Sequence, residues 1–196
     1  MYDNQISVFL ITGFLGSGKT TLLQYLLSKN SQPVNRAVIV NDFGSIGIDG
    51  ELVQKSGIEV KEMSSGCICC TLQIDMQSTL AELVENYSLD EIYVEASGVA
   101  DPVAIINAIY AFQDNYRLEL KKNIAVLDVD YWESRHVFGE VFFSQLAHAD
   151  IIILNKIDQF SHDKITKSLK EINATYPEVR LLPTTYCQLD PDLLSS

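Results

Sequence analysis

No stretch of this 196-residue chain reaches the roughly 18 consecutive apolar residues that a membrane-spanning helix needs. A membrane span is therefore not expected. The opening residues, MYDNQ, lack the basic stretch of a secretory signal, so the expected setting is cytoplasmic. Positive charge is scarce as well. Lys and Arg total 14 against 26 Asp and Glu, a net charge of -12. Such a surface repels phosphate backbones and anionic headgroups, which argues against nucleic acid or a membrane as a general partner. Internal repeats, low-complexity tracts and a linker are all missing, and the length suits one domain over residues 1–196. The three histidines, His136, His148 and His162, fall on helical stretches without ligand spacing and read as surface or core residues. No arginine stands beside a motif as a catalytic finger. Cysteine is sparse too, yet three of the four crowd into Cys67-Ile68-Cys69-Cys70. Without a signal peptide, so tight a cluster reads as reduced thiols rather than a disulfide framework.

What the chain does have is an apolar content of 47%, enough for a real core. Its organising stretch is Ile6 to Leu27. Ile6–Ile11 reads as a buried strand, and apolar residues then recur at helical spacing through Leu22, Leu23, Leu26 and Leu27. Between them Gly13-Phe14-Leu15-Gly16-Ser17-Gly18-Lys19-Thr20 fits G-x-x-x-x-G-K-[ST]. Glycines there let backbone N–H groups turn in around an anion, and the helix N-terminus adds positive potential. Gly13, Gly16, Ser17, Gly18, Lys19, Thr20 and Thr21 form the expected nucleotide-binding set. Lys19 reaches the terminal phosphates and the Thr20 hydroxyl ligates Mg²⁺.

Further on, strands are expected at Ala37–Asn41, Ile58–Met63, Glu91–Ala96, Asn123–Asp128, Asp150–Asn155 and Val179–Pro183. Helices are expected at Thr71–Tyr87 (Thr71 as N-cap), from Asp101 and Pro102 to about Phe112, and at Tyr131–Ala147 and Ser161–Tyr176. Asn41–Gly50 reads as a loop. Alternating strands and helices imply an α/β fold: three layers around a mainly parallel sheet, of P-loop NTPase type, with ligands at the carboxyl ends of the strands.

Three motifs fall at such ends. Asn155-Lys156-Ile157-Asp158 follows an apolar strand. A carboxylate at Asp158 accepts two hydrogen bonds from the N1–H and 2-amino group of guanine, a donor pair that adenine lacks. Lys156 lays its stem along the base. Glu95, in Glu95-Ala96-Ser97-Gly98, is placed to hold Mg²⁺ or order the attacking water, and Asp42 is a second candidate for that work. Lys19, Asp42 and Glu95 are thus the expected catalytic residues. Cys67, Cys69 and Cys70 supply three soft thiolates for Zn²⁺ or another thiophilic ion. A fourth ligand comes from Glu62, Asp42, water or a second protomer, while Cys187 reads as packing. Burial of the three thiols as small hydrophobes, or a redox pair, are the competing readings.

The stretches GFLGSGKTTLL, NDFGSIGID, SSGCICCTL, EASGVADP and QLAHADIIILNKID, in this order and spacing, resemble the CobW-like GTPases, metal-chaperone members of the SIMIBI branch of P-loop GTPases. The resemblance covers roughly Ile6 to Asp158. It implies GTP hydrolysis coupled to delivery of a metal, often Zn²⁺ and in some branches Co²⁺, to a client metalloprotein. It places Gly13 through Thr20 on the phosphates, Asn155 and Asp158 on guanine, and Cys67, Cys69 and Cys70 on the metal. Where the family usually reads N-E-F-G-E, this chain has Asn41-Asp42-Phe43-Gly44-Ser45. The family's usual C-terminal domain has no counterpart in these residues. Slow intrinsic hydrolysis that needs Lys19 and Thr20 is expected, with stimulation by metal, a client or a nucleotide-dependent homodimer. Two other functions remain open: a regulatory module whose turnover is incidental, and a small-molecule phosphotransferase, against which the NKID and cysteine motifs argue.

Overall fold

The structure, a computed structural model, describes residues 5–29, 34–40, 58–62 and 72–190. Its centre is a seven-stranded sheet in the order β3-β2-β4-β1-β5-β6-β7, with every pairing parallel. The strands are β1 (Ile6–Thr12), β2 (Arg36–Val40), β3 (Ile58–Glu62), β4 (Glu91–Glu95), β5 (Leu118–Asp128), β6 (Ile151–Asn155) and β7 (Arg180–Pro183). The helices are α1 (Lys19–Lys29), α2 (Leu72–Asn86), α3 (Pro102–Tyr116), α4 (Val129–Glu133), α5 (Glu140–Ala147) and α6 (His162–Thr175). The expected three-layer α/β architecture is therefore present, with the sheet wholly parallel among the described residues.

Two-sided burial explains the run-like strand sequences. Val8 and Leu10 of β1 face Met76, Leu80 and Leu83 of α2 and Ile105 and Ile109 of α3. Ile11 faces the opposite layer with Leu22, Leu23, Leu26 and Leu27 of α1. Ala125, Leu127, Ile152 and Leu154 carry Trp132, Phe142, Leu146 and Ile172 of the last three helices. Where β2 and β4 begin, Arg36 is buried and its Nε donates to Glu91 at 2.8 Å.

Helix starts follow the capping residues. The Asp101 side chain accepts from the Val103 amide and Pro102 opens α3; Ser161 caps α6 through the Lys164 amide. Three elements differ from expectation. β5 starts at Leu118, five residues before Asn123, and α3 runs on to Tyr116. The register of β5 against β1 shifts between Val8 and Phe9. Leu118 and Leu120 face one layer before the bulge, and Ala125 and Leu127 face that same side of the sheet after it. The bulge flips the alternation that a period-2 reading depends on. The expected helix Tyr131–Ala147 is three pieces: α4, a 3₁₀ turn at Arg135–Val137, and α5. Asp128 starts it early by capping the Asp130 amide, and Gly139 sits at the second break. The bend lets extended Phe138 pack against Phe14, Tyr131 and Phe142.

At the carboxyl edge Val40 stands in register with Glu62 on one side and Glu95 on the other. The chain therefore enters residues 41–57 from β2, the neighbour of β4, and residues 63–71 from β3, the next strand out. Asp42, Cys67, Cys69, Cys70 and Thr71 lie outside the described residues, as does the Glu62 side chain. No described helix is long and apolar enough to cross a membrane.

Candidate nucleotide site

The loop between β1 and α1 takes its shape from three glycines with left-handed backbone, Gly13 (φ +130°), Gly16 (+76°) and Gly18 (+114°). Two are also fixed by space. A Cβ on Gly13 would stand 2.2 Å from the Val126 carbonyl oxygen, and one on Gly18 would stand 2.4 Å from Asn155 Nδ2. No side chain fits at either position, so the backbone lies against β5 and β6 directly.

Lys19 opens α1 and is almost wholly buried, its Nζ donating to the Phe14 carbonyl at 3.2 Å. Burial lowers its pKa, and attraction to Glu95 opposes the shift. Thr20 Oγ1 donates to Glu95 Oε1 at 2.7 Å. Burial raises the Glu95 pKa, against the opposing effects of the Thr20 bond and Lys19. Glu95 Oε2 and Ser17 Oγ are buried with no hydrogen-bond partner among the described residues. Three sequence-selected residues thus converge from the start of α1 and the end of β4. A hydroxyl, a carboxylate with one unengaged oxygen and a buried ammonium form a donor set that fits Mg²⁺ beside a polyphosphate. Thr21 follows on α1, partly buried.

The loop's tip is held from two further sides. Tyr131 OH donates to the Leu15 carbonyl at 2.6 Å. A Cβ on Gly98, after β4, would stand 2.7 Å from the Leu15 amide nitrogen. The buried Gln145 amide donates to the carbonyls of Gly98 and Ala100. Gln145 and Tyr131 were missed by sequence reasoning. Neither belongs to a motif with a stated chemistry, although Gln145 opens the QLAHADIIILNKID stretch.

The second motif lies where β6 ends. Asn155 turns inward: its Nδ2 donates to the Ser17 carbonyl at 3.0 Å, and its Oδ1 accepts from the Cys187 amide at 3.0 Å and Thr184 Oγ1 at 3.3 Å. It ties the glycine loop to the turn after β7. Cys187 is buried, with Sγ 3.5 Å from the Gly18 carbonyl, and burial pushes its thiol up to about 12. The expectation of a packing role for Cys187 fits this placement. Lys156 adopts φ 61° and its Nζ lies 2.7 Å from Asp128 Oδ2. Asp158 sits exposed in the 3₁₀ turn Ile157–Gln159. Thr184, on a turn without regular pattern, carried no sequence signal, and the link from the Cys187 amide to Asn155 was not foreseen. Among the described residues no group of three or more His, Cys, Asp or Glu is arranged to hold a metal ion.

Comparison with known proteins accounts for this constellation. The family model described as CobW/HypB/UreG, nucleotide-binding domain, matches residues 7–181. The zinc chaperone YeiR of Escherichia coli is 38% identical over 151 residues, covering 76% of this chain and 46% of that protein. The zinc chaperone YjiA of Escherichia coli is 32% identical over 198 residues, covering 97% of this chain and 61% of that protein. The crystal structure of Zn(II)-bound YjiA GTPase from E. coli superposes with a TM-score of 0.72 at 27% identity, over 97% of this chain and 61% of that one. The chain thus spans about half to three fifths of the length of these relatives.

Proposed function

The chain belongs to the CobW/HypB/UreG nucleotide-binding family, and on that premise we propose that it binds and hydrolyses GTP and couples the nucleotide state to carrying a zinc ion to a client metalloprotein. One observation carries the reading: Lys19, Thr20 and Glu95 meet at the glycine loop, while the NKID turn is tied to that same loop through Asn155.

In this reading the amides of Gly13 to Gly18 and the Lys19 ammonium hold the β- and γ-phosphates. Thr20 and Glu95 would hold Mg²⁺, which neutralises charge developing on the phosphate oxygens. A water attacks the γ-phosphorus, the bond to the β–γ bridging oxygen breaks, and GDP and inorganic phosphate leave. Lys19 stabilises the charge on the transferred group, and Glu95 or Asp42 orders the water. Asp158 selects guanine by accepting from its N1–H and 2-amino groups. Asn155 acts through the loop it clamps.

Cys67, Cys69 and Cys70 take the zinc ion in this proposal. β2 ends beside β4 and β3 ends beside β2, so the chain leaves toward Asp42 and toward the cysteine stretch from the same edge that carries Glu95. Shared access to one edge supports nucleotide-dependent zinc affinity, and such coupling is reciprocal. A client metalloprotein, a nucleotide-dependent homodimer and a cytoplasmic setting belong to the same reading. Competitive Zn²⁺ titration with GDP or a non-hydrolysable GTP analogue tests it. Zinc affinity is expected to differ between the two nucleotides in the parent and to collapse in Cys67→Ser, Cys69→Ser and Cys70→Ser variants. Equal affinities with both nucleotides would overturn the coupling.

A further inference from the structure

The ends of β5 and β6 carry an ion pair that phosphate chemistry does not use. Asp128 and Asn155 are register partners, so Asp128 stands beside the NKID turn. Its carboxylate is fully engaged. Oδ1 accepts from the Asp130 amide at 2.8 Å, and Oδ2 meets Lys156 Nζ at 2.7 Å. The Asp128 side chain is 8% exposed and that of Lys156 30%. Lys156 also holds a left-handed backbone (φ 61°) and makes no side-chain cap to the 3₁₀ turn that follows. A non-glycine residue there is strained and persists only where its surroundings hold it. Three contacts hold it: the Ile157 amide donates to the Thr184 carbonyl, the Gln159 amide donates to the Lys156 carbonyl at 3.0 Å, and the side chain is drawn across to Asp128.

We propose that Asp128 is a positioning residue for base recognition, holding Lys156 so that its stem forms a fixed wall of the base slot and its ammonium stays off Asp158. The inference rests on the guanine reading above. An unanchored Lys156 has its charge two residues from the carboxylate that must accept from guanine. It would neutralise that acceptor and leave the stem free to move, at a cost to guanine and not to the phosphates.

The test uses Asp128→Asn and Asp128→Ser, each of which keeps an oxygen to cap the Asp130 amide while removing the lysine's partner. Affinities for GTP and ATP, KM and kcat are measured in these variants, in Lys156→Met and in the Asp128→Asn/Lys156→Met double variant. GTP affinity is expected to fall about tenfold and KM to rise equally, with kcat and the ATP affinity near the parent values. The double variant should bind GTP no more weakly than the weaker single variant, since residues acting through one contact do not add. Parent GTP affinity in both Asp128 variants, equal losses for GTP and ATP, or losses that multiply in the double variant would overturn the inference. A parent chain that binds ATP as well as GTP would overturn the guanine reading, and this inference with it, whatever the variants do.

Discussion

At the phosphate end of the site the backbone does the shaping. Gly13, Gly16 and Gly18 hold left-handed conformations, and at Gly13 and Gly18 a single Cβ would collide with β5 or β6. The side chains there sit under electrostatic tension. Lys19 is pushed down and Glu95 up by burial, and Ser17 Oγ and Glu95 Oε2 have no partner among the described residues. At the base end the pattern reverses. The Asn155 side chain accepts from Thr184 Oγ1 and the Cys187 amide, and Asp128 pairs with Lys156. The first region gains partners when a ligand arrives; the second is organised beforehand. Under the proposed function this division would concentrate affinity at the phosphates and selectivity at the base, where preorganisation lowers the cost of ordering on binding.

Lys19→Ala would break this contrast most severely. It removes the buried cation and leaves Glu95 without its counter-charge. GTP turnover is expected to fall about a hundredfold or more, the scale of losing one preorganised electrostatic contact in a transition state. Phosphate release in single-turnover assays checks this, and a variant with parent turnover would remove the glycine loop from catalysis. Gly18→Ala comes next, because Gly18 is where the two ends touch. Its Cβ displaces Asn155 Nδ2 and forces a residue with a side chain into φ +114°. Strain and a lost buried hydrogen bond together are expected to cost about 2 kcal/mol or more of stability. Urea unfolding measures that loss, and GTP and ATP affinity should fall together. Asp158→Ala sharpens the comparison by touching only the base end. GTP affinity is expected to drop roughly tenfold, the scale of one lost charge-assisted hydrogen-bonding group, with ATP affinity unchanged. Equal thermal stabilisation of the parent by both nucleotides would sink the assignment.

The same contrast governs what was legible in the sequence. The shape of the glycine loop was legible, because its pattern sets glycine at fixed offsets and Lys-Thr at one helix start, all within eight residues. Glu95 was legible as an acid at a strand end. The base end was read by its motif and not by its supports. Asn155 was expected on guanine, yet its side chain spans from Ser17 to Cys187, 32 residues downstream. Asp128, Gln145 and Tyr131 act through contacts made only once β5, β6 and the segmented helix region are assembled, and no local period encodes them. In the fold, strand identity survived because two-sided burial writes apolar runs. The first residues of β5 did not, because a bulge reverses their alternation and charged Glu119, Lys121 and Lys122 interrupt the run.

The smallest effect expected is a slope in stability against pH, and it isolates the tension at the phosphate end. Burial raises the Glu95 pKa above its ordinary value of 4.5. Between that value and the raised one, folded Glu95 keeps a proton that the unfolded chain has lost. The unfolded state then binds fewer protons, so stability falls as pH rises through that window. Below it both states are protonated and this contribution is complete. Lys19 acts elsewhere. Its lowered pKa makes the unfolded chain the better proton binder in a window below 10.5, so its contribution rises with pH there. Glu95→Gln removes the acid's titration while leaving an oxygen for Thr20. In the nucleotide-free chain it should stabilise modestly on the neutral side of the carboxylate range and flatten the slope there, while GTP turnover falls. Thermal unfolding of parent and variant across mildly acidic to neutral pH measures the difference. Parallel curves would mean that Glu95 stays ionised throughout and that its burial carries no such tension.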